Sequence, residues 1–279
     1  MSFLNWLRVI VLGIVEGVTE WLPISSTGHL IILNELWKGD AAVFTADYVE
    51  MFDVIIQLGA ILAVCTVFFH KLNPFSSYKT KEQKRNTWSL WGKVVIAVLP
   101  AAIVGVLFDD LMDEYLFKWY VVAIMLILVG AAFILVERLN RKDPSVMRFS
   151  QLSIKTALFI GCFQILSLIP GTSRSGITII GALLLGCSRY IATEFTFYLA
   201  IPVMFGASAL KLVKYFLKGG SFTSTQGIAL AVAMVVAYLV SIVIIKFLVA
   251  YVKRHDFKAF GIYRIILGFI VIVLFGLIL

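Results

Sequence analysis

The chain has 279 residues, 61% of them hydrophobic and 14% charged, with a net charge of +8 and a mean hydropathy of +0.99. A water-soluble domain carries about a quarter charged residues, so this chain has too few to cover a soluble surface. The positive balance does not point to nucleic acid, because the basic residues cluster in short segments between apolar runs, as membrane orientation requires.

In chain order, the first apolar region, 3–37, is broken near its middle by Pro23, with glycines and hydroxyl residues around the break. Its start lacks the small-residue cleavage site of a secretory signal and is expected to remain in the mature protein. Spans are predicted at 50–70, 91–109 and 117–137. A second broken region follows at 153–187, then spans at 190–216, 227–251 and 258–279. A span needs about 20 mostly apolar residues, and neither half of a broken region reaches that comfortably. Each broken region therefore reads as a re-entrant helix–loop–helix, tolerated only where protein or a water-filled cavity satisfies its backbone. The fold class is an all-α integral membrane protein with six spans and two re-entrant segments. Cys65, Cys162 and Cys187 lie singly in apolar contexts and read as packing residues. Trp21, Trp37, Trp88, Trp91 and Trp119 read as an interfacial aromatic belt. Asp53 and Glu194, near span ends, read as structural partners, and Gln57 as a cavity residue.

Loop charge supports this count. Lys71–Lys93, Arg138–Lys155 and the 251–258 turn are basic and expected to be cytoplasmic, the middle one through Arg138, Arg141, Lys142, Arg148 and Lys155. The 38–50 and 109–118 connections are acid-rich, the second through Asp109, Asp110, Asp113 and Glu114, and are expected outside with both termini. The 217–226 turn is then also outside, where Lys211, Lys214 and Lys218 fit poorly.

The two broken regions repeat one another. A shift of 148 pairs Gly13 with Gly161, Glu16 with Gln164, Ser25 with Ser173, Thr27 with Ser175 and Gly28 with Gly176. With one re-entrant element and three spans per half, residues 1–140 and 150–279 form inverted repeats within one membrane domain. Such repeats place a site near the midplane where they meet.

The first break reads Glu16-Gly-Val-Thr-Glu20-Trp-Leu-Pro23-Ile-Ser25-Ser26-Thr27-Gly28-His29. Glu16 and Glu20, four apart, share a helix face. Two costly like charges there call for a shared proton or for a divalent cation, Mg²⁺ or Ca²⁺. The second reads Pro170-Gly171-Thr172-Ser173-Arg174-Ser175-Gly176-Ile-Thr178 and opens a helix running to about Gly186. Backbone N–H groups at a helix start attract anions, and Arg174 can bind phosphate oxygens in a two-pronged way. The Gly-Lys-Ser/Thr ending of a Walker loop is absent. Acids, a phosphate-shaped cradle, hydroxyls and His29 together suit displacement at phosphorus.

These paired motifs, with Phe52–Ala60 and Ser188–Phe197, resemble along nearly the whole chain the bacterial undecaprenyl-diphosphate phosphatases, also called bacitracin-resistance proteins. The resemblance implies a metal-dependent enzyme of the bacterial inner membrane, its pocket opening outward. Such an enzyme removes the terminal phosphate of a C55 polyprenyl diphosphate and so recycles a carrier for cell-wall synthesis. It implies metal-binding or proton-handling roles for Glu16 and Glu20 and a nucleophilic Ser26. His29 would be the general acid or itself the nucleophile, and Arg174 a phosphate ligand. Ser25, Thr27, Gly171, Ser173, Ser175 and Thr178 would complete the phosphate site. His29, three residues after Ser26, is the expected base for it. The partners are the prenyl lipid, the bilayer and, as a further candidate, a second copy of the chain. A polyprenyl-phosphate transporter is the alternative, since inverted repeats and broken helices are also transporter features. A purely structural membrane subunit leaves the gathered ionisable groups unexplained.

Overall fold

In a computed structural model, residues 1–139 and 143–278 are described. Arg141 and Lys142, and the side chains of Asp109, Asp110 and Asp113, lie outside that description. The described residues form helices α1 (Phe3–Thr19), α2 (Ser26–Leu36), α3 (Ala46–Ile55), α4 (Gln57–Val67), α5 (Phe69–Leu72), α6 (Lys81–Leu116), α7 (Trp119–Leu139), α8 (Ile154–Ile165), α9 (Arg174–Leu184), α10 (Arg189–Leu217), α11 (Ser224–Tyr251) and α12 (Lys258–Val273). Among the described residues, six segments are long and apolar enough to cross a membrane: 46–67, 81–108, 119–139, 189–217, 224–251 and 258–276. The pairs α1–α2 and α8–α9 are the two interrupted regions.

The second span runs past its expected bounds at both ends. The basic segment before residue 91 is not all loop: Thr80 caps α6 in a reciprocal box with Gln83, and the helix starts at Lys81. The acid-rich stretch after Phe108 likewise stays helical to Leu116. At 36 residues, α6 is about 54 Å long by the 1.5 Å helical rise, so its ends reach beyond an apolar core of about 30 Å.

Long apolar rows remain on the outside of the bundle. Ile124 and Leu128 of α7, Val235, Leu239 and Val243 of α11, and Ile266 and Ile270 of α12 are all exposed, spaced four apart on one face of each helix. Exposed apolar area on this scale belongs in lipid. The polar interior holds Arg8, Glu16, Glu137, Gln164, Glu194 and Arg264, all buried. Glu194 has the expected structural partners, Lys71 Nζ at 2.7 Å and the hydroxyls of Tyr190 and Tyr198. Of the cysteines only Cys187 is buried, whereas Cys162 is exposed on α8.

The halves pack reciprocally. Helix α1 lies along α11 as α8 lies along α6, while α4 meets α10 and α7 meets α12. Small residues set these distances. A Cβ on Gly13 would stand 2.7 Å from the Ala233 carbonyl oxygen, and one on Gly161 would stand 2.0 Å from that of Ala97. Gly130 and Gly261 face each other across the α7–α12 contact, each 2.7 Å from the other's carbonyl by the same construction. Gly161→Ala is therefore expected to destabilise by about 1–3 kcal/mol, the usual overpacking penalty. Gly206→Ala, with no atom within 4 Å of the new Cβ, should be neutral or raise stability by up to ~1 kcal/mol through helix propensity. Thermal unfolding of both variants in one detergent checks the contrast.

Candidate active site

Each interrupted region turns on a serine. Ser25 has φ 74° and Ser173 φ 66°, while no other non-glycine residue described has positive φ. Left-handed backbone at a residue with a Cβ costs of order 1–3 kcal/mol and persists only when its surroundings impose it. Here each serine caps the next helix: Ser25 Oγ accepts from Gly28 N at 3.3 Å and Ser173 Oγ from Gly176 N at 3.2 Å. The strained turns start α2 at Ser26 and α9 at Arg174, bringing those two side chains toward the same carboxylate.

That carboxylate is Glu20, which follows the last turn of α1. Ser26 Oγ donates to its Oε2 at 2.8 Å, and Arg174 Nη2 donates to its Oε1 at 3.0 Å. Ser175 Oγ donates to the Glu20 carbonyl at 3.2 Å. A hydroxyl from one break, a guanidinium from the other and a carboxylate between them form one continuous contact, and Ser26 and Glu20 are both buried. The family described as Bacitracin resistance protein BacA matches residues 9–270, a stretch that contains all of these groups. The chain belongs to this family. It is 54% identical to a protein of Lactiplantibacillus plantarum over 99% of both chains, and 54% identical to one of Enterococcus faecalis over 98% of both. A protein of Acetivibrio thermocellus is 55% identical, again over 98% of each chain. All three are named undecaprenyl-diphosphatase.

The remaining motif residues of this bacitracin-resistance family member divide by what they touch. Arg174 Nη1 donates to the Thr196 carbonyl at 3.0 Å, and the guanidinium lies 5.9 Å from the Trp21 ring centre. Its Nε has no partner among the described residues. Trp21 is therefore not an interfacial residue. It is fully buried and packs edge-on against Phe197, forming the apolar wall beside Arg174. Thr178 Oγ1 is committed to structure, donating to the Arg174 carbonyl at 2.8 Å and meeting Thr196 Oγ1 at 2.9 Å. Ser173 Oγ meets Ser175 Oγ at 3.2 Å.

His29 stands apart from Ser26. Its Nδ1 lies 2.7 Å from the Ser25 carbonyl and its Nε2 2.8 Å from the Tyr263 hydroxyl, and the two rings stack 5.7 Å apart. A carbonyl accepts only, so Nδ1 carries a proton. The group beside the Ser26 hydroxyl is thus Glu20 and not, as the sequence spacing predicts, His29.

Glu16 is fully buried, and neither of its carboxylate oxygens has a partner among the described residues. Buried carboxylates are rarely left so; a shared proton or a cation would supply the missing partner. No group of three metal-binding side chains occurs among the described residues. Two carboxylates nevertheless fit a magnesium-like ion, which commonly takes one or two carboxylates plus substrate phosphate oxygens. Beside Ser26 opens a cavity of about 480 Å³, also lined by Thr27, Asp53, Gln57 and Lys211. Gln57 thus faces the cavity as expected. Asp53 does too, with one oxygen held by Asn34 at 2.6 Å and the other unpartnered among the described residues.

Arg264 is the residue that sequence reasoning passed over. It is fully buried, and Nη2 donates to the Gly171 and Thr172 carbonyls at 2.7 and 2.9 Å, while Nη1 donates to the Pro23 carbonyl at 3.3 Å. Gly171 has φ 89°, and a Cβ there would stand 2.6 Å from the Val122 carbonyl, so the loop can lie this deep only as glycine. A lone arginine in the apolar run 262–279 was the available signal. Truncation by Arg264→Ala orphans three carbonyls, each costing about 1–3 kcal/mol. A fall in stability of at least ~3 kcal/mol is expected, together with loss of activity. Arg264→Lys, with fewer donors, should fall between it and the parent in thermal unfolding.

Proposed function

We propose that this protein hydrolyses the terminal phosphate of undecaprenyl diphosphate, yielding undecaprenyl phosphate and inorganic phosphate. The observation that carries the reading is the buried Ser26–Glu20–Arg174 contact, which joins a nucleophile, a proton acceptor and a phosphate-binding cation from the two breaks. The names of the full-length relatives supply the lipid. They lend nothing to the transporter alternative.

The residues account for the chemistry as follows. Arg174, with its unpartnered Nε, binds the terminal phosphate and turns partly from Glu20 toward it. Ser26 Oγ attacks the terminal phosphorus, and its proton passes to Glu20, 2.8 Å away. The bond from that phosphorus to the bridging oxygen breaks, and the electron pair leaves with undecaprenyl phosphate. Water then cleaves the phosphoserine, releasing inorganic phosphate and restoring the hydroxyl. His29, between the Ser25 carbonyl and the Tyr263 hydroxyl, would hold a proton for the leaving oxygen. His29 as the direct nucleophile is the second mechanism, favoured only if the phosphate is trapped there. Ser25, Thr27, Ser173, Ser175 and the peptide groups around Gly171 shape the phosphate site. Thr178 acts by holding Arg174 in place. A divalent cation, Mg²⁺ or Ca²⁺, would be held by Glu16 and Glu20, and when bound supplies charge neutralisation at the phosphates.

The site belongs to the bacterial cytoplasmic membrane and opens outward. In support, the cavity is lined by Glu50, Asp53 and Val54 of α3, by Phe117 just after α6 and by Lys211 near the end of α10, whereas basic Lys71, Arg148, Arg189 and Lys253 occupy the opposite end. The division into inverted repeats at 1–140 and 150–279 rests on the reciprocal packing and the paired strained serines.

Phosphate release from a short prenyl diphosphate by the purified protein tests the reading. Ser26→Ala and Arg174→Ala should each lower kcat/KM by about 10²-fold or more, as for loss of a group acting in the transition state. Full activity in Ser26→Ala, or phosphate trapped on another residue, would overturn the serine mechanism. Chelation should abolish turnover and added Mg²⁺ or Ca²⁺ restore it, whereas activity indifferent to chelator would remove the metal.

A further inference from the structure

The three lysines that fit poorly with loop charge lie beside the catalytic cavity. Lys211, Lys214 and Lys218 are spaced three and four apart, so they share one face at the end of α10. All three line a second, smaller recess of about 60 Å³, together with Asp47, Glu50, Met51, Tyr215 and Gly220. On that measure the recess has room for several waters. Glu50 and Lys211 line both this recess and the cavity that reaches Ser26, and they are joined by an ion pair. The pair therefore lies where the recess and the cavity share their lining. The ammonium is the sheltered partner, its side chain 19% exposed, whereas that of Glu50 is 55% exposed. The helix macrodipole accounts for cations at a helix end, but not for one that lines both cavities with a carboxylate on it.

We propose that the Lys211–Glu50 pair is an exchangeable latch and a phosphate-binding subsite at the mouth of the catalytic cavity. A phosphate group in the recess displaces Glu50 from Lys211, and the freed carboxylate swings into solvent. Lys214 and Lys218 raise the local concentration of such anions, partly offset by Asp47 and Glu50. The ligand is a phosphate group, either the headgroup of an arriving prenyl diphosphate or the inorganic phosphate on its way out. The inference rests on the diphosphatase reading for its substrate.

The test uses the full-length protein in nanodiscs, with two readouts. One is hydrolysis of farnesyl diphosphate, with and without inorganic phosphate as inhibitor. The other is binding of its methylene-bridged, non-hydrolysable analogue. Lys211→Gln is expected to weaken analogue binding and raise KM by about tenfold, the loss of one charge-assisted contact, with the effect on KM exceeding that on kcat. Glu50→Gln, which releases the latch, should shift both constants the opposite way, an outcome that misfolding does not produce. Lys211→Arg should restore binding. If the subsite serves the departing ion, inhibition by phosphate weakens in Lys211→Gln while KM holds; if it serves the arriving lipid, KM moves and phosphate inhibition holds. Lys211→Gln with analogue binding, KM and phosphate inhibition all unmoved, or Glu50→Gln shifting the affected constant in the same direction as Lys211→Gln, overturns the latch. A parent protein that binds the analogue but hydrolyses nothing overturns the diphosphatase reading instead, and the binding readout still decides the latch.

Discussion

A chain that breaks its helices inside an apolar bundle must find partners for the peptide groups it frees, since lipid offers none. Arg264 meets that constraint here. One guanidinium receives carbonyls from both breaks, Pro23 on one side and Gly171 and Thr172 on the other. The buried charge is expensive by itself, but charge-assisted bonds to three carbonyls offset much of its desolvation. With both loops bound to the same side chain, Ser26 and Arg174 are held near Glu20, and the site exists.

The two breaks share geometry and differ in chemistry. Each has a serine in left-handed backbone that caps the following helix. The residues beyond the cap then diverge. The first break places Ser26 and His29, backed by Glu16 and Glu20; the second places Arg174, and its counterpart to Glu16 is the neutral Gln164. Similar serine-capped turns thus carry an acidic, hydroxyl-bearing cluster on one side and a cationic one on the other. The packing of α1 on α11 and of α8 on α6 ties each interrupted region to a span distant in the chain, so neither part of the site is held by its sequence neighbours alone.

Ion pairs at the two ends of the bundle differ in the same sense. At the basic end, Arg189 holds the buried Glu137 at 2.6 Å while Phe257 N adds a further contact, and Lys71 holds Glu194 amid two tyrosine hydroxyls. Carboxylates so fully satisfied are structural. At the cavity end, Asp53 and Glu16 keep unpartnered oxygens among the described residues, and Glu50 is largely exposed. Incomplete satisfaction is where a ligand, proton or cation has something to gain.

The amino-acid sequence by itself determined the class of molecule, the six spans and the two breaks, because apolar run length and proline–glycine interruption are local properties. It also marked Glu16, Glu20, Ser26, His29 and Arg174, since ionisable groups at such depth are costly enough to stand out. Pairing was beyond its reach. Sequence proximity put His29 with Ser26, yet the helix that begins at Ser26 turns His29 toward Ser25 and Tyr263, and Ser26 toward Glu20. Trp21 looked interfacial from composition and is buried because α10 brings Phe197 against it. Arg264 is 241 residues from Pro23. Only the packing of α12 against α7 and the two breaks made a lone arginine in an apolar run into the clasp of the site. Contacts between distant segments depend on how helices pack, and hydrophobic period carries no information about which polar groups meet there.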